Sequence, residues 1–140
     1  MAKISELSPS AILAGDELVV VVQGGVTYRS TVAEVRRVPV FAETGTALTL
    51  ALTHAGGYIR QTNAAAIATT VPANSSVAFP IGTNIGLRQG GAGAIAVTAA
   101  GGVTINVPTG HTAVSRAQGS SLALIKVATD TWDLTGDLAT

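Results

Sequence analysis

The chain has 140 residues, no cysteine, and eight acidic against eight basic side chains, so its formal net charge is zero. Disulfides, thiolate nucleophiles and cysteine-bound zinc are excluded, and no net positive charge favours nucleic acid. Only 11% of the residues are charged while 47% are hydrophobic, against about 25% charged in an ordinary soluble domain; so sparse a charge predicts a surface covered by copies of the chain or by a larger assembly.

The N-terminus carries Lys3, Glu6 and Pro9 where a secretion signal needs an apolar core. The longest apolar runs fall far short of the roughly 18 residues of a membrane helix. These features predict a soluble, non-secreted product with no membrane partner. Ser8-Pro9 predicts the opening of a short helical turn, and Gly15 its end. Leu18 to Val22 reads as a buried strand, Gln23-Gly24-Gly25 as a turn, and Val26 to Arg29 as the returning strand of a hairpin. Thr31-Val32-Ala33-Glu34 has the pattern of a capping box and predicts a two-turn helix that Pro39 stops. Arg36-Arg37, the one adjacent basic pair, suits that helix's C-terminal end rather than a nucleic-acid contact.

Charge thins out after Glu43. From there to Asp130 the only charged residues are Arg60, Arg88, Arg116 and Lys126. The boundary divides the chain into an N-terminal module, residues 1–43, and a β-rich domain, residues 44–140. In the second part Leu48, Leu50 and Leu52 alternate with Thr49, Ala51 and Thr53, the period of a half-buried strand. Further strands are expected at Tyr58–Gln61, Ile85–Gln89, Ala94–Thr98, Val103–Val107, Thr112–Arg116, Leu122–Val127 and Trp132–Thr135, separated by glycine-rich turns. Ala64 to Val71 is ambiguous between helix and strand. Short strands at this spacing predict an all-β fold, an antiparallel sandwich or barrel-like domain. Leu122-Ala123-Leu124-Ile125 and Ala94-Ile95-Ala96-Val97 are apolar on both faces. A second layer must then cover them, and a neighbouring subunit is one source of it.

Candidate chemistry is scarce. Gly91-Ala92-Gly93-Ala94-Ile95-Ala96 satisfies a dinucleotide-binding pattern, but that motif needs a following helix, and the alternation after it predicts a hairpin turn instead. His54 and His111 lie in glycine-bordered turns with no acid nearby in sequence, so neither a hydrolytic triad nor a one-chain metal site is expected. Asp130 and Asp133 fit turn chemistry. Trp132, the single tryptophan, reads as a core or subunit-contact anchor. Arg60, Arg88 and Arg116 recur at equal spacing and are expected to cap strand ends or pair with carbonyls and C-terminal aspartates. No catalytic, cofactor-binding or metal-binding residue is assigned, and the chain is expected not to be an enzyme.

Lys3-Ile4-Ser5-Glu6-Leu7, the run from Glu17 to Thr27, and Thr31-Val32-Ala33 resemble an N-terminal module of tailed-phage virion proteins. Val77-Ala78-Phe79-Pro80-Ile81-Gly82-Thr83, Arg88 to Gly93, Gly102 to Asn106, Ala123 to Ala128, Trp132 and Leu134 to Leu138 resemble a β domain of phage tail-fibre, head-fibre and capsid-decoration proteins. The resemblance implies a homotrimer without catalytic residues. Its leading form is a capsid decoration (cement) protein that sits on the head surface and partners the major capsid protein. The alternative is a short tail or head fibre, or a receptor-binding module, partnered by tail proteins. Chain length favours the first, since there is no heptad or collagen-like repeat to build a shaft.

Overall fold

The computed structural model describes residues 18–31, Ala33 and 37–140, divided between two compact units, Met1–Arg37 and Val38–Thr140. In the first unit β1 (Leu18–Gln23) pairs antiparallel with β2 (Val26–Thr31) in the expected hairpin. Gly24 and Gly25 both take positive φ, 57° and 78°, as a tight turn matched to strand twist requires. The strand expected to be buried is not: Leu18, Val20 and Val22, on one face of β1, are 61%, 65% and 67% exposed. A two-stranded ribbon has no second layer of its own to cover such a face. Thr31 ends β2. Most of the capping-box helix that should follow, and the helical turn at Ser8, lie outside the described residues.

The second unit is all-β. Two sheets share it, one of six strands in the order β3-β5-β7-β10-β11-β9 and one of three in the order β4-β6-β8. The strands are β3 (Val40–Glu43), β4 (Ala47–Thr49), β5 (Tyr58–Gln61), β6 (Ile67–Val71), β7 (Asn84–Gln89), β8 (Ile95–Ala99), β9 (Thr104–Asn106), β10 (Ser121–Ala128) and β11 (Thr131–Gly136). The chain visits the sheets alternately from β3 to β8, so each pair of strands makes one coil. Neighbours within a sheet are consequently parallel: β3–β5, β5–β7, β4–β6 and β6–β8. β9 also joins β11 in parallel, and only β7–β10 and β10–β11 run antiparallel in this unit.

The wholly antiparallel arrangement is thus corrected. Parallel neighbours need a long crossover, and here the strand in the opposite sheet provides it. The ambiguous stretch after Ala64 resolves as a corner followed by β6. β3 pairs with β5, so residues 38–43 belong to this β unit rather than to the N-terminal module. Leu48 alternates as expected, but the strand ends at Thr49, and Leu52 to His54 form a 3-10 turn with Leu52 exposed. Thr112–Arg116 is not a strand; it makes isolated bridges through Ala96–Val114 and Ser115–Leu138.

Period-two alternation sends one set of side chains from both sheets into a single core. Across the large sheet, Phe41, Ile59, Leu87 and Leu122 stand in register, as do Ile85, Leu124 and Leu134. Val71, Ile95 and Val97 join them from the small sheet, with Leu50, Phe79, Trp132 and Leu138. The coil that separates Tyr58 from Gly86 and Ile67 from Ile95 is 28 residues long. That is also the spacing of Arg60 and Arg88, which are register partners.

At the corners the two coils touch backbone to backbone. A Cβ on Gly91 would stand 2.2 Å from the Asn63 carbonyl oxygen, and one on Gly93 would stand 1.8 Å from that of Ala65. The apparent dinucleotide motif is therefore a close-packed corner between the two sheets, not a hairpin turn and not the start of a helix. Beneath it Gln61 and Gln89 are buried in register. Gln61 Nε2 donates to Thr69 Oγ1 at 2.8 Å, and Thr69 donates back to Gln61 Oε1 at 3.2 Å. Gln89 Oε1 accepts from Ser115 Oγ at 2.6 Å, and its amide nitrogen donates to the Gly91 and Ala92 carbonyls. Ser115 Oγ also accepts from the Ile95 N–H at 2.7 Å. Buried polar groups satisfied in this way fix the register of the corners without the desolvation cost of unpaired ones.

Candidate functional site

The residues weighed for chemistry are dispersed. His54, read from the sequence as a residue of a glycine-bordered turn, is buried: its ring meets Phe41 edge-on at 4.9 Å, and Nδ1 accepts from the Ala51 N–H at 3.0 Å. That accepted bond makes it a cap for its own 3-10 turn. His111 is exposed, with Nδ1 3.3 Å from the Thr109 carbonyl. Among the described residues no group of three or more His, Asp and Glu side chains is placed to hold a metal ion. Asp130 takes a positive φ of 54° in the β10–β11 turn, a conformation that Asp tolerates better than most residues. Asp133 accepts from Asn106 Nδ2 at 2.8 Å across the β9–β11 pair. Trp132 is 1% exposed and meets Phe79 edge-on at 5.3 Å, so it is a core residue.

Two of the three arginines stand side by side. Arg60 and Arg88 are register partners on the outer face of the six-stranded sheet, and Arg88 donates to Ser121 Oγ at 3.0 Å. Arg116 lies on the loop before β10 and grips Asp137 with two bonds, Nε to Oδ1 at 2.5 Å and Nη2 to Oδ2 at 3.1 Å. Ser120 Oγ adds a third at 2.8 Å. The Arg116 bond first, and the Ser120 bond second, hold the Asp137 carboxyl below its ordinary value of 3.8. A carboxylate depressed by folding stabilises the fold above its unfolded pKa, and loses that contribution as pH falls through the folded value. Wild type should therefore melt higher than Asp137→Asn at neutral pH, with the gap closing below about pH 4. The pair is exposed, so the gap is small. Thermal melts of both proteins from pH 7 to pH 2 check this.

What the β unit does present is surface with little charge. On the outer face of the small sheet, Ala47, Ala68 and Ala96 form one ladder and Thr49, Thr70 and Thr98 a second. Thr70 and Thr98 hydroxyls bond each other at 3.1 Å. Small, short side chains in register leave this face nearly flat, so it suits close packing against an equally flat partner. On the large sheet, Val40 at the edge strand β3 is 70% exposed, and Ile125 and Val127 on β10 are 37% and 42% exposed. An open depression of about 310 Å³ lies there, lined by Val38, Tyr58, Asn84, Gly86 and Ala123 among others. The Tyr58 ring lies over Gly86, where a Cβ would come within 2.9 Å of it. β3 leaves one side of its backbone unpaired by any strand of the sheet, and such edges attract further strands. The exposed Leu18, Val20 and Val22 face adds a separate apolar stripe on the N-terminal unit.

No protein-family model, no curated protein and no solved structure matches the chain. The described residues contain no helix long and apolar enough to cross a membrane.

Proposed function

We propose that the chain is a non-enzymatic structural protein whose work is assembly. More particularly, we propose a capsid decoration protein of a tailed phage, a homotrimer bound to the major capsid protein on the assembled head. The observation that carries the reading is the uncharged outer face of the small sheet, the Ala and Thr ladders of β4, β6 and β8. A free monomer with such faces and so few charges would associate. The resemblance of the N-terminal and β-domain residues to phage virion proteins supplies the virion and the trimer. Binding only to assembled shell would stabilise that shell by mass action.

The division of labour follows the two units. The β unit supplies trimerisation, and the N-terminal residues, with Ile4, Leu7 and Ile12 and the exposed stripe of β1, dock on the capsid. Ile4, Leu7 and Ile12 lie outside the described residues. Light scattering behind size exclusion should give about three times the 13.9 kDa chain mass; a clean monomer at micromolar concentration would contradict the surface argument. Removing residues 1–16 should abolish binding to decoration-free shells and leave a folded trimer. If the shortened protein still decorates the shell, attachment belongs to the β unit.

A second reading, a short tail or head fibre, draws on the parallel coils themselves, because stacked coils are a quasi-one-dimensional design that extends by adding units. Location on the particle separates the two.

A further inference from the structure

Lys126 is the most unexpected side chain in the β unit. Period-two alternation along β10 puts it on the inward face with Leu122 and Leu124, and it is only 3% exposed. Its ammonium group lies 6.0 Å from the centre of the Trp132 ring. Among the described residues no carboxylate forms an ion pair with it. Nζ instead reaches the Phe79 carbonyl oxygen at 2.7 Å and Asn74 Oδ1 at 2.5 Å. A cation buried without a counter-charge is costly, and this one is aimed at a side-chain amide.

Asn74 is held as firmly as its neighbour. Its backbone N–H donates to Asp130 Oδ1 at 2.6 Å, which ties it to the β10–β11 turn. The turn that contains it is closed by bonds from the Ser76 and Val77 N–H groups to the Ala73 carbonyl. With a C=O bond of about 1.2 Å, Nζ lies within about 3.7 Å of the Asn74 amide carbon. That approaches the separation at which reacting atoms held in place begin to react efficiently.

We propose that Lys126 and Asn74 join in an intramolecular isopeptide bond. Nζ, as the free amine, adds to Cγ of Asn74, and the tetrahedral carbon then expels Nδ2. One C–N bond forms as another breaks. Starting from the lysine ammonium, the two protons given up by Nζ leave on the departing nitrogen, so ammonium is released and the buried charge goes with it. Nothing is oxidised or reduced, and no water or co-reactant is consumed. Phe79 and Trp132, which pack edge-on, cover the lysine side of the pair. Asp130 is the positioning residue, since it fixes the backbone of Asn74. The product would tie β10 to the loop after β6, across 52 positions of sequence.

The test is the mass of the intact, denatured protein after purification in its folded form. Loss of ammonia should leave it about 17 Da lighter than the sequence mass, and proteolysis should release a branched peptide joining Asn74 to Lys126. Lys126→Arg and Asn74→Ala should each restore the full mass expected for their sequence. Wild type at full mass, with Asn74 and Lys126 recovered in separate peptides, overturns the proposal. So does the same deficit in Lys126→Arg, because an asparagine that cyclises on its own backbone also loses ammonia.

Discussion

Trp132→Ala should destabilise the β unit by about 3–5 kcal/mol, the cost of removing a large aromatic side chain from a packed core. The ring is 1% exposed, meets Phe79 edge-on at 5.3 Å, and stands in register between Ile105 of β9 and Lys126 of β10. It therefore joins the β9 edge to the core and also covers the Lys126 pocket. Few of its neighbours can collapse into the space, because most are anchored in strands. Domains of this size are stable by only about 5–15 kcal/mol, so the variant should sit close to its unfolding threshold. Urea unfolding followed by far-ultraviolet circular dichroism measures the loss. An unchanged midpoint would show that the ring contributes nothing to the core.

Gly93→Val should be nearly as damaging, by about 3 kcal/mol, the upper end of ordinary overpacking. A Cβ at this position meets the Ala65 carbonyl oxygen at 1.8 Å and its carbon at 2.3 Å. Both are backbone atoms of the preceding coil, which cannot rotate out of the way as a side chain can. The corner would have to open, and the buried Gln89 bonds to the Gly91 and Ala92 carbonyls would open with it. Gly101→Ala is the matched control, since a Cβ there meets nothing within 4 Å. The same unfolding experiment should leave the control close to wild type. Equal stability of Gly93→Val and wild type would mean that the coils do not touch at this corner.

The two effects differ in how legible they are in the amino-acid sequence. Trp132 was readable as an anchor, because a lone large aromatic in an alternating strand belongs inside. The β1–β2 hairpin was equally plain from Gly24-Gly25 between two β-branched runs. The coil stack was not. Alternation assigns faces to a strand but says nothing about which strand lies beside it or in which direction it runs. A spacing did carry that information: Arg60-Gln61 and Arg88-Gln89 recur one coil apart, and the structure sets them side by side. Arg116 is not a register partner in this series, since β7 has β10 as its next neighbour; its loop instead meets the end of β7, where the Gly119 N–H donates to the Gln89 carbonyl and the Gln89 N–H to that of Ser120. The Gly91–Gly93 segment matched a nucleotide motif because close backbone approach demands glycine whatever the backbone approaches. His54 and Lys126 were missed for a shared reason. Polar side chains are expected outside, and only their partners, the Ala51 N–H and the Asn74 amide, make burial tolerable. The inward phase of Leu122, Leu124 and Lys126 was the available signal for the lysine.

The proposed assembly role would give these features a common purpose. A virion protein must keep its shape outside the cell, where neither chaperones nor resynthesis can replace it. Stacked coils with backbone contact, polar corners fixed by Gln61 and Gln89, and a covalent tie at Lys126 would each oppose local opening. The flat Ala and Thr face and the exposed apolar strand edges then remain for contacts with neighbours. On that proposal, few charged groups would be needed on a surface covered in use.

Immunogold labelling of this chain on purified virions tests the central claim most directly. A capsid decoration protein predicts gold spread over the whole head at many copies per particle. Gold confined to the tail, or particles without any label, would contradict it.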